Sequence, residues 1–405
     1  MSSTSFAYKV RDQHGKMVEG VLEAPSKELV ATKLREMGYA PLDIRERGKS
    51  LSDREFSFGK EKIGIRDLAV LARQLATMIG AGMPLIRALN ILVEQTENKR
   101  LGAAVGEICG DIERGLSFAQ AVERRGDVFP PLFQPMIRAG ETGGMLDTVL
   151  VRLASTLEKQ AQLRGKIRSA MAYPVMVGIM VMLIAGGMLI FIVPQFKTMY
   201  SNLNGTLPTP TQVLLKVSAF VTGSWYIVLI GIVSIVFGFK KWVATEKGRL
   251  TFDGLKLKAP VFGVLVSKAA IARFARTLAS LMRAGVPVIE SLTIVSDTSG
   301  NAVMQKGINL AREKVRTGTN VSIALADHPV FPPMVVQMMA VGEETGALDE
   351  MLEKMADFYE EEVEATVDAL TSLIEPLLMV FMGVVVGGMI VALYMPIFKL
   401  ITIVK

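Results

Sequence analysis

The chain contains one long unit twice. "RQLATMIGAGMPLIRALNIL" from Arg73 aligns with "RTLASLMRAGVPVIESLTIV" from Arg276, so that Gly82 pairs with Gly285 and Pro84 with Pro287, both 203 residues apart. Farther on, Phe129 pairs with Phe331, Asp147 with Asp349, Pro174 with Pro376 and Pro194 with Pro396, all 202 apart, so a single deletion accounts for the drift. Such a repeat governs every later inference, because whatever is read in one copy has a counterpart to be read in the other. Within each copy the apolar residues recur at helical spacing, as in Leu68, Leu71, Leu75 and Met78, matched by Ile271, Phe274, Leu278 and Leu281. Gly82 and Gly285 stop one helix, Pro84 and Pro287 restart the next, and Ser117 with Gln120 has the spacing of a capping box. Each copy is therefore expected to be a bundle of about six helices.

The duplication also carries a membrane segment. Half of the 405 residues are hydrophobic, and the mean hydropathy of +0.39 is too high for an ordinary soluble protein. The excess lies in three windows almost free of charge, 174–194, roughly 217–239 and 376–396. About 20 helical residues cross a hydrocarbon layer, so each window is a transmembrane candidate. "MSSTSFAYKVRDQHGK" lacks the apolar core of a cleavable signal, which leaves the N-terminus expected in the cytoplasm. Arg164, Lys166 and Arg168 before the first window, and Lys240 and Lys241 after the second, place both flanks and both bundles on the cytoplasmic side. Lys405 then lies outside. The net charge of +6 is explained by these flanks better than by nucleic acid, since no basic stripe with interleaved aromatics is present.

Before the repeat, "FAYKV" and "MVEGVLEA" alternate with period two, "SKELVATKLREMG" has helical period, and "PLDI" is a short extended run, which together suggest ββαβ. The expected organisation is a mainly α, integral membrane chain. It comprises a small α+β docking module (1–46), a linker (47–64), a first bundle (65–171), a membrane helix (172–195), an external loop (196–214), a second membrane helix (215–239), a second bundle (240–373), a third membrane helix (374–398) and an external tail (399–405).

"GETGGMLD" at 140–147 returns as "GEETGALD" at 342–349, and it is the stretch that most resembles a functional loop. As an enzyme signature it lacks partners. There is no GxxxxGK followed by Ser or Thr, no HExxH and no GxSxG, and Cys109, His14 and His328 are the only cysteine and histidines. A zinc site, a disulfide and a catalytic constellation therefore have no residues to build them, and no cofactor is expected. Cys109 lies in the apolar phase of "AAVGEICGDI" and reads as core. In a structural reading, Gly140 or Gly342 ends a helix with positive φ, aided by Gly144 and Gly346, and Asp147 or Asp349 sits in the first turn of the next. In a sharper reading, Glu141, Thr142, Glu343 and Glu344 face a partner, or Glu141 with Asp147 holds a divalent ion, although that ligand set is thin.

Two further features concern helix pairing. Gly383 and Gly387 form a GxxxG and Gly186–Gly187 a similar smooth patch, while Pro174 and Pro376 recur at the head of their windows; close approach of another helix would follow. The helix before the first window carries Lys159, Arg164, Lys166 and Arg168, whereas its counterpart carries Glu360, Glu361, Glu362, Glu364 and Asp368, so the two are candidates to pair within one chain or across a dimer.

With "GAGMPLIRAL" and "RAGVPVIESL", "FPPLFQPMIRAGETGGMLDTVL" and "FPPMVVQMMAVGEETGALDEML", and "YPVMVGIM" before the first window, residues 65–398 resemble the type II secretion F family. These are the inner-membrane platforms of type IV pilus and type II secretion machines, and the long opening module is most similar to the pilus members. Departures are Glu375 in place of Tyr173 and the spacing of "GEETG" against "GETGG". The resemblance implies a non-enzymatic, homo-oligomeric multi-pass protein of the bacterial inner membrane. Its partners would be pilins or pseudopilins, a cytoplasmic hexameric assembly ATPase and other inner-membrane components. From the residues alone a transporter is the competing class, suggested by parallel repeats with membrane helices; three apolar spans without interior charge count against it.

Overall fold

The computed structural model describes residues 4–11, 17–24, 27–36, 38–46, 62–195, 209–260 and 262–403. Residues 47–61 of the expected linker, residues 196–208 of the expected external loop, residues 404–405 of the tail and His14 lie outside the described residues.

The chain divides into two compact units, Met1–Lys62 and Ile63–Lys405. In the first, β1 (Thr4–Arg11) is the middle strand between β2 (Met17–Ala24) and β3 (Ala40–Glu46), antiparallel to both, with an irregularity between Lys9 and Val10 on the β3 side. Helix α1 (Lys27–Glu36) falls between β2 and β3 in sequence. Alternation in β1 turns Phe6 and Val10 to one face, where they bury against Val30 and Leu34, one helical turn apart on α1.

The second unit begins with α2 (Ile65–Gly80), α3 (Leu85–Gln95), α4 (Lys99–Glu113), α5 (Phe118–Glu123), α6 (Phe133–Gly143) and α7 (Leu146–Gly187). Local chemistry sets these limits. The Gly64 amide donates to Asp67 at 2.9 Å, Asn98 accepts from the Leu101 amide at 3.1 Å, and Ser117 and Gln120 exchange hydrogen bonds as a capping box. Gly82, at φ 81°, ends the α2 turn and Pro84 caps α3. Leu71, Leu75, Leu92, Ile108, Phe133 and Leu153 fill the core between these helices.

A π-helical turn, Met188–Ile192, extends α7. Helices α8 (Thr209–Gly223), α9 (Trp225–Val243) and α10 (Glu246–Lys258) follow. The second copy then runs through α11 (Phe262–Arg283), α12 (Val288–Thr298), α13 (Ala302–Arg316), α14 (Val321–Ala326), α15 (Pro333–Thr345) and α16 (Leu348–Ile403). Gly285, at φ 83°, and Pro287, capping α12, repeat the first turn. The apolar core continues from one copy into the other.

Helices run unbroken through two of the expected domain boundaries. The bundle and membrane segments expected to meet at 171/172 and 373/374 are each one helix: α7 continues through Pro174 and α16 through Pro376. A proline in a helix forfeits one hydrogen bond of a long ladder, and the flanking turns carry the helix past it. The window expected as one span over 217–239 is instead broken at Ser224, whose φ of −125° leaves the helical region after Gly223. Among the described residues, two helices are long and apolar enough to cross a membrane, Leu146–Gln195 and Leu348–Ala392. Helix α8 is hydrogen-bonded to both: Ser218 donates to the Leu189 carbonyl of the π turn at 2.5 Å and Thr211 to the Ala392 carbonyl at 2.6 Å.

Candidate functional site at the repeated joint

In each copy the glycine–glutamate motif forms the turn between the last two helices of the bundle. Gly144 and Gly346, at φ 65° and 71°, are the left-handed residues that end α6 and α15. Gly140 and Gly342 are not: both lie inside those helices, and the expected positive φ moves four residues on. What excludes a side chain from them is the next helix. A Cβ on Gly140 would sit 3.1 Å from Val149 Cβ and 3.2 Å from Leu146 Cα, and one on Gly342 only 2.8 Å from Leu348 Cα.

This close crossing directs the glutamate back into its own bundle. Glu141 accepts from the amides of Phe118, at 2.7 Å, and Ala119, at 3.1 Å, at the N-terminus of α5. Glu343 accepts from the amides of Val321, at 2.5 Å, and Ser322, at 2.9 Å, at the N-terminus of α14, and from the Ser322 hydroxyl. Each carboxylate thus satisfies two orphan donors and meets the positive end of a helix dipole. Asp147 stands apart in the first turn of α7, 3.5 Å from the Thr148 hydroxyl. Among the described residues, no three acidic, histidine or cysteine side chains converge as a metal site would need. Thr142 and Glu344, beside the two capping glutamates, are exposed.

A second constellation at the repeat offset is absent from the sequence reading. Arg73 on α2 grips Glu158 on α7 through two bonds of 2.7 and 2.5 Å, and Arg276 on α11 grips Glu360 on α16 through bonds of 2.9 and 2.8 Å. Both are bidentate guanidinium–carboxylate forks tying the first helix of a copy to its last. The signal was present, because Arg73/Arg276 and Glu158/Glu360 recur at the offsets 203 and 202. The hydrogen bond from Arg73 is the main cause of the lowered carboxyl pKa of Glu158.

Only the second fork is shared between copies. Arg276 also binds Asp357, whose carboxylate accepts from Lys159 of the first copy at 2.7 Å. Burial pushes the Asp357 carboxyl up, but the bonds from Lys159 and Arg276 outweigh it and the net direction is down. Two turns on, Lys166 pairs with Glu364. Thr156 and Ser280 share a buried hydroxyl contact of 2.8 Å. Below them Leu163 and Ile167 pack against Leu265, Val363, Val367 and Leu370. The basic and acidic helices therefore pair within one chain.

Other singled-out residues are structural or open. Cys109 is buried, with its thiol 3.4 Å from the Asn90 amide oxygen, and burial raises its pKa. The His328 ring lies against Gly307, and burial, aided by Lys306, lowers its pKa. A Cβ added to Gly186, Gly187, Gly383 or Gly387 would meet nothing within 4 Å, so these patches face open space in the single chain.

The duplicated bundles with long apolar exits, linked by paired caps and forks, are matched by a known family. The family described as type II secretion system protein F matches residues 71–194 and again 274–396, and the N-terminal domain of the same family matches residues 1–45. The chain belongs to the type II secretion system protein F family. It is 44% identical over 398 residues to the type IV pilus assembly protein PilC of Thermus thermophilus, covering 98% of each chain. It is 40% identical over 373 residues to PilC of Pseudomonas aeruginosa, covering 92% of this chain and 98% of that one. To the type II secretion system protein F of Pseudomonas aeruginosa it is 34% identical over 399 residues, covering 98% of each.

Proposed function

We propose that this protein is a non-enzymatic platform of the bacterial inner membrane on which a type IV pilus fibre is assembled. A cytoplasmic assembly ATPase would drive it, and pilins would be inserted or extracted beside its membrane helices. The observation that carries this reading is the near full-length similarity to pilus assembly relatives. The geometry supports it, because the first helix of each bundle is tied by a guanidinium–carboxylate fork to a helix that continues through an apolar segment.

In this reading both bundles and the N-terminus are cytoplasmic and the C-terminus is external. The Met1–Lys62 unit docks other assembly components, and Thr142 and Glu344 are the motif residues facing the motor. The open glycine patches at Gly186–Gly187 and Gly383–Gly387 receive pilin helices or a second copy. A secretion pseudopilus platform is the second reading, favoured by the 34% identity to a secretion protein F. Removing the protein from its native cell should abolish surface fibres while pilin accumulates in the inner membrane. Normal fibres together with loss of exported enzymes would favour the secretion reading, and normal fibres with normal export would overturn both.

A further inference from the structure

Helix α10 lies outside the duplicated core, since the matched stretch of the second copy opens only at residue 274. It follows α9 after two residues, and α9 has an apolar body ending in Lys240 and Lys241. At 100° per residue, Leu250, Asp253 and Leu257 share one side of α10, whereas Lys247, Thr251, Leu255 and Lys258 share another. The first side is fixed to the bundle: Asp253 is buried and accepts from the Ala302 amide at the start of α13 at 2.9 Å.

The other side is uncovered. Leu255 is 65% exposed, and the nearby Trp242 and Phe239 are each 46% exposed. The Phe252 ring meets Phe239 edge-on at 5.1 Å and carries the Lys256 ammonium 4.2 Å above it. A Cβ on Gly248 would fall 1.9 Å from the Trp242 carbonyl, so the end of α9 is seated on the first turn of α10. Exposed Lys247 and Lys258 flank Leu255 on one edge, and Arg249 and Lys256 on the other. Residues 240–258 carry six basic side chains against Glu246 and Asp253, and Asp253 is turned inward.

An apolar centre with two basic edges, continuous with an apolar helix and carrying an exposed tryptophan, has the chemistry of the bilayer interface. We propose that α10 and the turn before it form a shelf on the inner leaflet that binds anionic phospholipid. Lys247, Arg249 and Lys258 meet the headgroup phosphates, and Leu255 and Trp242 enter the acyl boundary. The shelf rests on the inner-membrane reading above and adds to it a lipid preference and a fixed depth for the second bundle. Charge complementarity and continuity with α9 favour lipid over an acidic protein as the occupant.

The test uses the full chain with Trp225→Phe, leaving Trp242 as the single tryptophan, reconstituted into phosphatidylcholine vesicles. These are doped with acyl-brominated phosphatidylglycerol or acyl-brominated phosphatidylcholine, and Trp242 fluorescence is recorded. Phosphatidylglycerol should quench at a lower mole fraction, and the half-quenching fraction should rise about fivefold for each of K247Q, R249Q and K258Q. The triple variant should show no preference. Equal quenching by both lipids, or a preference that survives in the triple variant, would overturn the shelf. So would absence of quenching by either lipid while the protein stays in the vesicles through an alkaline wash; that outcome would give the surface to a protein partner. Loss of the protein in that wash would instead be a failure of the membrane reading.

Discussion

The two forks, Arg73–Glu158 and Arg276–Glu360, occupy the same place in the two copies and differ in their surroundings. Arg73 is 41% exposed and serves one carboxylate, whereas Arg276 is 6% exposed and joins Glu360, Asp357 and, through Asp357, Lys159 of the other copy. A duplicated contact can thus stay a local tie in one copy and become the junction between copies in the other. What changed is the partner position: Asp357 stands where the first copy has Ser155.

The largest break in this comparison should come from Arg276→Met. It removes the buried guanidinium that serves Glu360 and Asp357, while Lys159 still reaches Asp357, and should cost about 1.5–3 kcal/mol, against under about 1 kcal/mol for Arg73→Met at its exposed fork. Denaturant unfolding of the full chain in detergent measures both, and equal costs would mean that the junction carries no extra energy.

The joint glycines give the next contrast. Alanine inside a helix gains about 1 kcal/mol over glycine, but at Gly342 it must displace the Leu348 backbone, 2.8 Å away, at a cost of about 1–3 kcal/mol. Gly342→Ala should therefore destabilise, while Gly140→Ala, with contacts of 3.1 Å and longer, should come close to neutral in the same experiment.

A smaller difference separates the caps. Glu343→Gln and Glu141→Gln should each weaken a helix start by about 1 kcal/mol. Hydrogen exchange should then quicken roughly fivefold at Val321 and Ser322, and at Phe118 and Ala119. The Glu343 effect should be the larger, since Glu343 also loses its bond from the Ser322 hydroxyl.

The smallest effect is on pH. Asp357 and Glu158 both have lowered pKa values in the folded chain. Their contributions are complete above the ordinary carboxyl range near pH 4 and fade as pH falls through the folded values. The bundles should lose stability below about pH 4, and Asp357→Asn and Glu158→Gln should each flatten that dependence.

The helical period and the capping box at Ser117 could be read from the sequence because each depends on residues within a turn or two of one another, and the repeat because it is written in matching residues. The glutamate caps could not. Glu141 and Phe118 are 23 residues apart, and nothing local says that a carboxylate at one joint reaches the amides of another helix. Gly140 misled for a related reason, since a glycine needed for a close crossing reads like one needed for a positive φ. The charge contrast between Lys159, Lys166 and the glutamates of the third segment was visible, but which acid meets which base follows from the packing of α7 on α16. Helix α10 left no mark because the role proposed for it lies in which faces are exposed, and the repeat passes it by.

Helix α16 is unbroken from Leu348 to Ile403, 56 residues, or about 84 Å. Such a rod has the geometry of a lever arm. A tilt of about 10° at its bundle end would sweep the far end through roughly 15 Å. The shorter α7 carries a π turn at Met188–Ile192 that loosens its backbone ladder near the far end. A torque applied to the bundles would therefore reach the far ends stiffly along α16 and with compliance along α7.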